Sequence, residues 1–413
     1  MSLKPNLLVV GDYNRKDYID LFKACRSDFN FFFLEYASSR EIQQTYYRSY
    51  GRAIFWGDYK DAQDLLAKVR PHKVLFYFIE SYYHVMLNLT CKVAGVPTYY
   101  IDHGLRDVNI NTRLEKYFIK KKGKPTYLKY AQKLRELLPR LKARIFLQNS
   151  ARALPQGESD FFKEFYKIRK TNHYIDTFKL INSPLRVADV YITFSHKVYK
   201  AHQQHDFLPA EKKVHFIGFP SYDHLAAIKP VPSIGKQIIF LDQGLAARGL
   251  LGWTASEYSI FIREITGLCA RNGYSLFVKL HPVQPKQEER VWETHQNAKL
   301  IDSEDLMKLL PSTSLFIGFF STYLLPLASL EHTTLLTLEN HPVGRIDVSK
   351  SFIEAGVAHP LYSMQDLEWA LQHIEQLHQK QLPNKAKFTE EWMYKFDGKA
   401  GERLRDILLS DEL

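Results

Sequence analysis

The sequence predicts an α/β protein made of two successive domains, each a parallel sheet flanked by helices, and three observations carry that expectation. At 413 residues the chain exceeds what one ordinary hydrophobic core organises. Short apolar runs alternate with longer amphipathic segments along it, the pattern of strands joined by crossover helices. That alternation breaks at residues 226–237, AAIKPVPSIGKQ, where two prolines and a glycine interrupt any apolar period, and then it restarts. The expected organisation is an N-terminal domain at 1–228, a linker at 229–236, a C-terminal domain at 237–390 and a closing helix within 391–413.

In the first half NLLVVGDY (6–13), KVLFYFIES (73–81) and PTYYIDHG (97–104) read as strands that end in polar residues or glycine. YYHVMLNLTCKVAG (82–95) between the last two has a helical period and a terminal glycine, which makes a strand–helix–strand unit. ARIFLQNS (143–150) fits a helix or a strand equally well. VADVYITFSHKVYKAHQQH (187–205) gives a strand and a helix capped by Ser195, and KVHFIGFPSYDHL (213–225) another strand and a turn. In the second half QIIFLDQG (237–244), LFVKLHP (276–282), NAKLIDS (297–303), SLFIGFFST (314–322) and TTLLTLEN (333–340) are the expected strands. Helices are expected at 254–273, with a Thr254 cap, at 304–312, after 322 and from about 364 onward.

Composition bounds the function. The formal net charge is +11, which implies an anionic partner such as nucleic acid, lipid headgroups or phosphate-bearing substrates. No nucleic-acid-binding motif accompanies that charge, so nucleic acid is not expected as a partner. The densest basic segment, 119–144, carries leucines at 134, 137, 138 and 141 among its basic residues. An amphipathic helix there would suit either an anionic membrane face or an ordinary solvated surface. Cys25, Cys91 and Cys269 are widely spaced and odd in number, which favours a reducing compartment over a disulfide framework. The apolar run at 7–10 is too short for a signal peptide, and 315–330 is too short and too interrupted to span a bilayer, so a cytoplasmic protein is expected.

Ligands of open α/β sheets bind beyond the carboxyl ends of the strands, so strand exits hold the candidate site residues. Two such domains facing each other place those exits on either side of a central cleft. His281 leaves its strand between Lys279 and Pro282, and an imidazole with an ordinary pKa near ~6.5 can share a proton at neutral pH. Ser321 and Thr322 stand between a strand and a helix, where hydroxyls and free N–H groups suit a phosphate or simply a cap. Asp102 and Asp242 are the carboxylates placed for base or nucleophile chemistry, or for capping the next turn. His103 and Gly104 follow the first, and Gln243 and Gly244 the second. The chain has no Gly-x-Gly-x-x-Gly after its first strand, no P-loop, no HExxH, no Gly-x-Ser-x-Gly and no CxxC. His332 and His341 lack metal-ligand spacing, so no metal site is expected.

Taken together, the arrangement resembles a GT-B glycosyltransferase, with two Rossmann-like domains, an acceptor on the first and a nucleotide-sugar donor on the second. ADVYITFS…KVHFIGFPSYDHL (188–225) and FDGKAGERLRDIL (396–408) are similar to segments of nucleotide-sugar enzymes, including non-hydrolysing N-acetylglucosamine epimerases. VKLHP resembles the His-Pro motif of bacterial sialyltransferases and polysialyltransferases, and FFSTYLLPLASL their Ser/Thr motif. The third motif of those families, two acidic residues then glycine, has Asp102-His103-Gly104 as its nearest match, with histidine in the second acidic place. That departure makes the segment similar also to the His-Gly element of capsule Kdo transferases and of CDP-glycerol polymerases. Asp242-Gln243-Gly244 is a second acidic-x-Gly match, and an aspartate of the second domain is a nucleophile in retaining Kdo transferases.

The resemblance implies a metal-independent transferase without a bound cofactor, using a CMP-linked sialic acid or Kdo and building a bacterial surface glycan such as capsule or lipopolysaccharide. It implies catalytic roles for His281, Asp102, Asp242 and His103, and donor contacts from Ser321, Thr322, Pro282, Lys279, Gln243 and Gly244. The expected partners are a nucleotide sugar, a glycan or glycolipid acceptor and, peripherally, an anionic inner membrane face touched by 119–144. The competing expectations are a CDP-glycerol or CDP-ribitol phosphotransferase and a non-catalytic glycan-binding protein of the same architecture, with a nucleotide-sugar epimerase disfavoured. Inversion follows if Asp102 is a base, and retention if Asp242 is a nucleophile.

Overall fold

A computed structural model describes residues 4–106, 126–232, 235–281, 284 and 286–410, with the backbone alone at 126–136 and 286–288. Pro282 and residues 119–125 of the basic segment lie outside the described residues. The chain divides into two compact units, one gathering the described residues of 1–105, 123–223 and 398–413, the other those of 106–122 and 224–397.

The first unit holds a seven-stranded, wholly parallel sheet. Its strands are β1 (Asn6–Val10), β2 (Asn30–Leu34), β3 (Gly51–Ile54), β4 (Lys73–Phe76), β5 (Thr98–Ile101), β6 (Val190–Thr193) and β7 (Val214–Phe216). They lie in the order β3-β2-β1-β4-β5-β6-β7. Leu7, Leu8, Val9, Val10, Val74, Leu75 and Phe76 are fully buried, as a parallel sheet covered on both faces requires. The strand order reverses between β1 and β4, and there Gly11 adopts φ +140°. A Cβ on Gly11 would stand 2.6 Å from Cδ2 of Tyr77, so β1 ends in a backbone that only glycine fits.

The second unit repeats the plan with β8 (Gln237–Leu241), β9 (Ser275–Lys279), β10 (Ala298–Ile301), β11 (Leu315–Gly318) and β12 (Thr334–Leu338). A two-stranded hairpin follows, β13 (Asn340–His341) with β14 (Gly344–Arg345), and then the last strand β15 (His359–Leu361). The main sheet runs β10-β9-β8-β11-β12-β15, parallel throughout, with its reversal between β8 and β11. The sequence reading leaves out β2, β3, the β13–β14 hairpin and β15. The ambiguous segment 143–150 is helical, the end of a 28-residue helix Thr126–Ala153.

Local chemistry starts the helices where the residues suggest. Ser195 Oγ accepts from the Val198 amide at 3.4 Å, Thr254 Oγ1 from that of Glu257 at 3.2 Å and Ser363 Oγ from that of Asp366 at 3.0 Å. The helix Ala400–Leu409 returns to the first unit. Lys73 Nζ, buried under it, donates to the carbonyls of Ile407 (3.1 Å), Leu408 (3.0 Å) and Ser410, satisfying the helix's last acceptors. Asp223 accepts the amides of Ala400 and Gly401 at the other end, at 2.9 and 2.8 Å. The three cysteines are free and buried. Among the described residues no helix is long and apolar enough to cross a membrane.

Candidate functional site

In the second unit, β9, β8 and β11 are neighbours, so their carboxyl ends set His281, Asp242 and Ser321–Thr322 at adjacent positions around the sheet's reversal point. That is where open α/β sheets bind ligands. Asp242 is almost fully buried. Its Oδ1 accepts the amides of Gln243 (2.6 Å) and Gly244 (3.1 Å), while Oδ2 accepts from the Tyr258 hydroxyl and from Gln284 Nε2 at 2.5 Å. Tyr258 in turn accepts from Trp292 Nε1 at 2.9 Å. Burial raises the Asp242 carboxyl above the ordinary range, against those four donors, which favour its ionised form.

Gln284 carries this network to the histidine, since its Oε1 accepts the His281 backbone amide at 2.6 Å. Gly244 closes the loop in the left-handed region, φ +59°, and a Cβ there would approach Gln284 Cγ to 2.9 Å. The Asp242–Gln284 bridge therefore ties the end of β8 to the backbone of the half-buried His281. A carboxylate holding four hydrogen bonds has its lone pairs committed to the protein. Lys279 is half-buried, and burial lowers its ammonium pKa while nearby Asp302 opposes the fall.

Ser321 and Thr322 are both half-buried. They form a turn ahead of the helix rather than its cap, since the helix spans only Leu324–Ser329 and Ser321 Oγ accepts the Tyr323 amide at 3.2 Å. Under this turn the fully buried Ser349 donates its hydroxyl to the Phe319 carbonyl at 2.7 Å and its amide to Glu339 Oε2 at 3.1 Å. Burial pushes the Glu339 carboxyl up to about 7. Beside the ends of β11, β12 and β15 lies a cavity of about 460 Å³ with Trp253, Phe261, Phe319 and His341 in its wall and Glu257 and Glu264 on one side. Trp253 Nε1 donates to His341 Nδ1 at 3.2 Å, and burial pushes the imidazole pKa down to about 4.

In the first unit Asp102 ends β5 and is 1 % exposed. Its Oδ2 accepts the Phe194 amide at 3.0 Å and its Oδ1 lies 2.5 Å from His202 Nε2. His202 Nδ1 lies 3.2 Å from Asp206 Oδ2, so one imidazole bridges two carboxyl groups. Asp102 thereby ties the end of β5 to the end of β6 and to the helix His196–Asp206. His103, the next residue, is half-buried among aromatic rings, with centroids 4.3 Å from Phe78, 4.6 Å from Tyr18 and 5.7 Å from Tyr77. Gly104 follows with open space where a Cβ would stand.

Sequence reasoning missed Tyr258, Gln284, Trp292, His202 and Glu339. Only Gln284, three residues beyond His281, stood near enough in the chain to be found.

Comparison with known proteins places this geometry. The family model described as alpha-2,8-polysialyltransferase matches residues 57–339, well over half of the chain. The match includes Asp102, His103, Asp242, His281, Ser321 and Thr322. No curated protein matches in sequence. Among solved structures, the wall teichoic acid polymerase TagF superposes with a TM-score of 0.51 at 12 % identity, covering 98 % of this chain and 89 % of that one. The calicheamicin glycosyltransferase CalG4 gives 0.52 at 9 % identity over 99 % and 98 %. The spinosyn forosaminyltransferase SpnP gives 0.51 at 12 % identity over 99 % and 100 %. At these identities the likeness is one of fold, and the fold is GT-B.

Proposed function

The chain belongs to the alpha-2,8-polysialyltransferase family and is a glycosyltransferase, and on that premise we propose that it transfers an acidic sugar of the sialic acid or Kdo type from a CMP-activated donor to a glycan acceptor. One observation carries the reading: His281 and the Ser321–Thr322 turn leave β9 and β11, the two strands that flank β8 at the reversal of the second sheet. In the step proposed, the acceptor oxygen bonds to the anomeric carbon while the bond from that carbon to the phosphate oxygen breaks, its electron pair leaving with CMP. His281 shares a proton with the departing phosphate, and the two hydroxyls and Lys279 hold its oxygens. Gln243 and Gly244 shape the donor side, and no metal is assigned a role.

The acceptor's proton goes to a base. Asp102 is sealed by the Phe194 amide and His202 and is assigned the positioning of its strand end, which leaves the half-buried His103 as the first unit's candidate. With Asp242 committed to four donors, no covalent intermediate is assigned to it, and the configuration inverts.

Thermal unfolding with CMP, CDP, UDP, GDP and AMP tests the donor. Saturation at 100 times Kd stabilises a fold by about 2.7 kcal/mol, so the CMP shift is expected to exceed the others. A larger shift with CDP would replace this reading with polyol-phosphate transfer, and none at all would point to a non-catalytic glycan binder. His281→Ala is expected to keep its unfolding temperature and to lose about 10²–10⁴-fold in kcat, the range for a general acid. Near-normal turnover in that variant would sink the mechanism.

A further inference from the structure

The long helix Thr126–Ala153 has two apolar faces, and only one is used by the fold. Ala143, Phe146, Leu147 and Ser150 are buried against the first unit. The Phe146 ring sits 5.5 Å from that of Trp56, and Ser150 Oγ accepts the Ala62 amide at 2.8 Å. At 3.6 residues per turn, Leu137, Leu138, Leu141 and Ile145 fall on the opposite side, within an arc of roughly 100°. They are exposed by 66 %, 63 %, 51 % and 46 %. Arg140 and Arg144 flank that stripe on one side and Lys142 on the other, all exposed. Residues 137–153 contain no aspartate or glutamate.

Four aliphatic side chains on one turn-to-turn stripe, with a wholly cationic border, do not suit an ordinary solvated face. A second copy of the chain is a poor occupant: a two-fold contact through this stripe would set each cationic border against its own copy. Nor does the stripe have the aromatic centre and charge-depleted core of a protein interface. An anionic lipid surface fits every feature. Leucine and isoleucine enter the boundary between headgroups and acyl chains while arginine and lysine stay at the phosphates, and the chain's net charge of +11 adds attraction at longer range.

We propose that the outward face of this helix, Leu137, Leu138, Leu141 and Ile145 between Arg140, Arg144 and Lys142, docks the protein on an anionic lipid surface. The inference is independent of the donor assigned above. Docking of this kind would hold the protein at a membrane surface.

Co-sedimentation of the full chain with vesicles of phosphatidylcholine alone, or of phosphatidylcholine and phosphatidylglycerol in equal parts, is the test. At low salt the protein is expected to bind the anionic vesicles at least about tenfold more strongly, and to lose most of that advantage at high salt. The double variant Leu138→Ser, Leu141→Ser keeps every charge and is expected to keep its unfolding temperature, yet to lose about tenfold or more in vesicle binding. The triple variant Arg140→Gln, Lys142→Gln, Arg144→Gln is expected to lose its preference for the anionic vesicles. Failure of the wild type to bind anionic vesicles overturns the proposal, as does undiminished binding by either variant. So does a wild-type dimer in sedimentation velocity that the leucine variant turns to monomer without any vesicle binding in either, because the stripe would then belong to a second copy.

Discussion

Glu339 is fully buried at the end of β12 and its carboxyl pKa is raised by burial from 4.5 to about 7. Between those values the folded protein holds a proton that the unfolded chain has released, so this residue's contribution to stability falls as pH rises from 4.5 to 7 and then levels off. At 1.36 kcal/mol per pH unit the whole loss comes to about 3 kcal/mol. His341 has the opposite sign, because its folded pKa of about 4 lies below the ordinary 6.5 and its contribution is lost as pH falls through that window. Glu339→Gln keeps an acceptor for the Ser349 amide and removes the first effect alone. Its unfolding temperature is expected to match wild type near pH 4.5 and to exceed it progressively up to pH 7, measured by thermal melts in a buffer series; a constant difference would refute the assignment. Tyr258→Phe removes a donor to Asp242 and an acceptor for Trp292, so a loss of about 1–3 kcal/mol in denaturant unfolding is expected, with weaker CMP binding because the His281 turn loosens.

Elements here are started by residues that the sequence shows plainly and positioned by ones that it does not. Ser195 opens the helix His196–Asp206 with its side chain fully buried, so its hydroxyl is the partner of an amide that water does not reach. Ser195→Ala is expected to cost about 1–2 kcal/mol in urea unfolding, the upper part of the range for a lost cap. Strands β1, β4, β5, β6, β8, β11 and β12 were legible because each is a run of buried apolar residues between polar ends. β3 and β15 stand at sheet edges, where one side makes no ladder, and GRAI and HPL accordingly carry little apolar signal. NFFFL is different, since β2 is an interior strand. Its run of rings is apolar enough to read as a buried strand.

For the whole molecule, the return of the helix Ala400–Leu409 to the first unit makes that unit discontinuous in sequence. Lys73 is the buried cation that holds its end, and Arg405 adds a two-pronged bond to Asp28 at 2.8 and 3.2 Å. Lys73→Met is expected to lower stability by roughly 3 kcal/mol, since several helix carbonyls lose a charged donor in a buried place. A chain ended after residue 397 is expected to be less stable still, and proteolysis at 37 °C should show the first unit cleaved before the second. Equal resistance in truncated and full chains would mean that the helix is an ornament of the first unit and not part of its fold.

Two α/β halves, the strand-exit positions of Asp102, Asp242, His281 and Ser321–Thr322, and the net positive charge were all determined by the sequence alone. Apolar periodicity and turn residues act over a few neighbours, and those neighbours are adjacent in the chain. Which partners the candidate aspartates meet was decided only by the tertiary structure. Asp102 meets His202 across 100 residues, and Asp242 meets Tyr258 and Gln284 across 16 and 42. The same holds for which face of the basic helix is left outside. A strand end looks identical in sequence whether its carboxylate opens to a substrate or is saturated by donors from elsewhere, because the free energy that settles the matter comes from burial and from partners that only the folded sheet brings together.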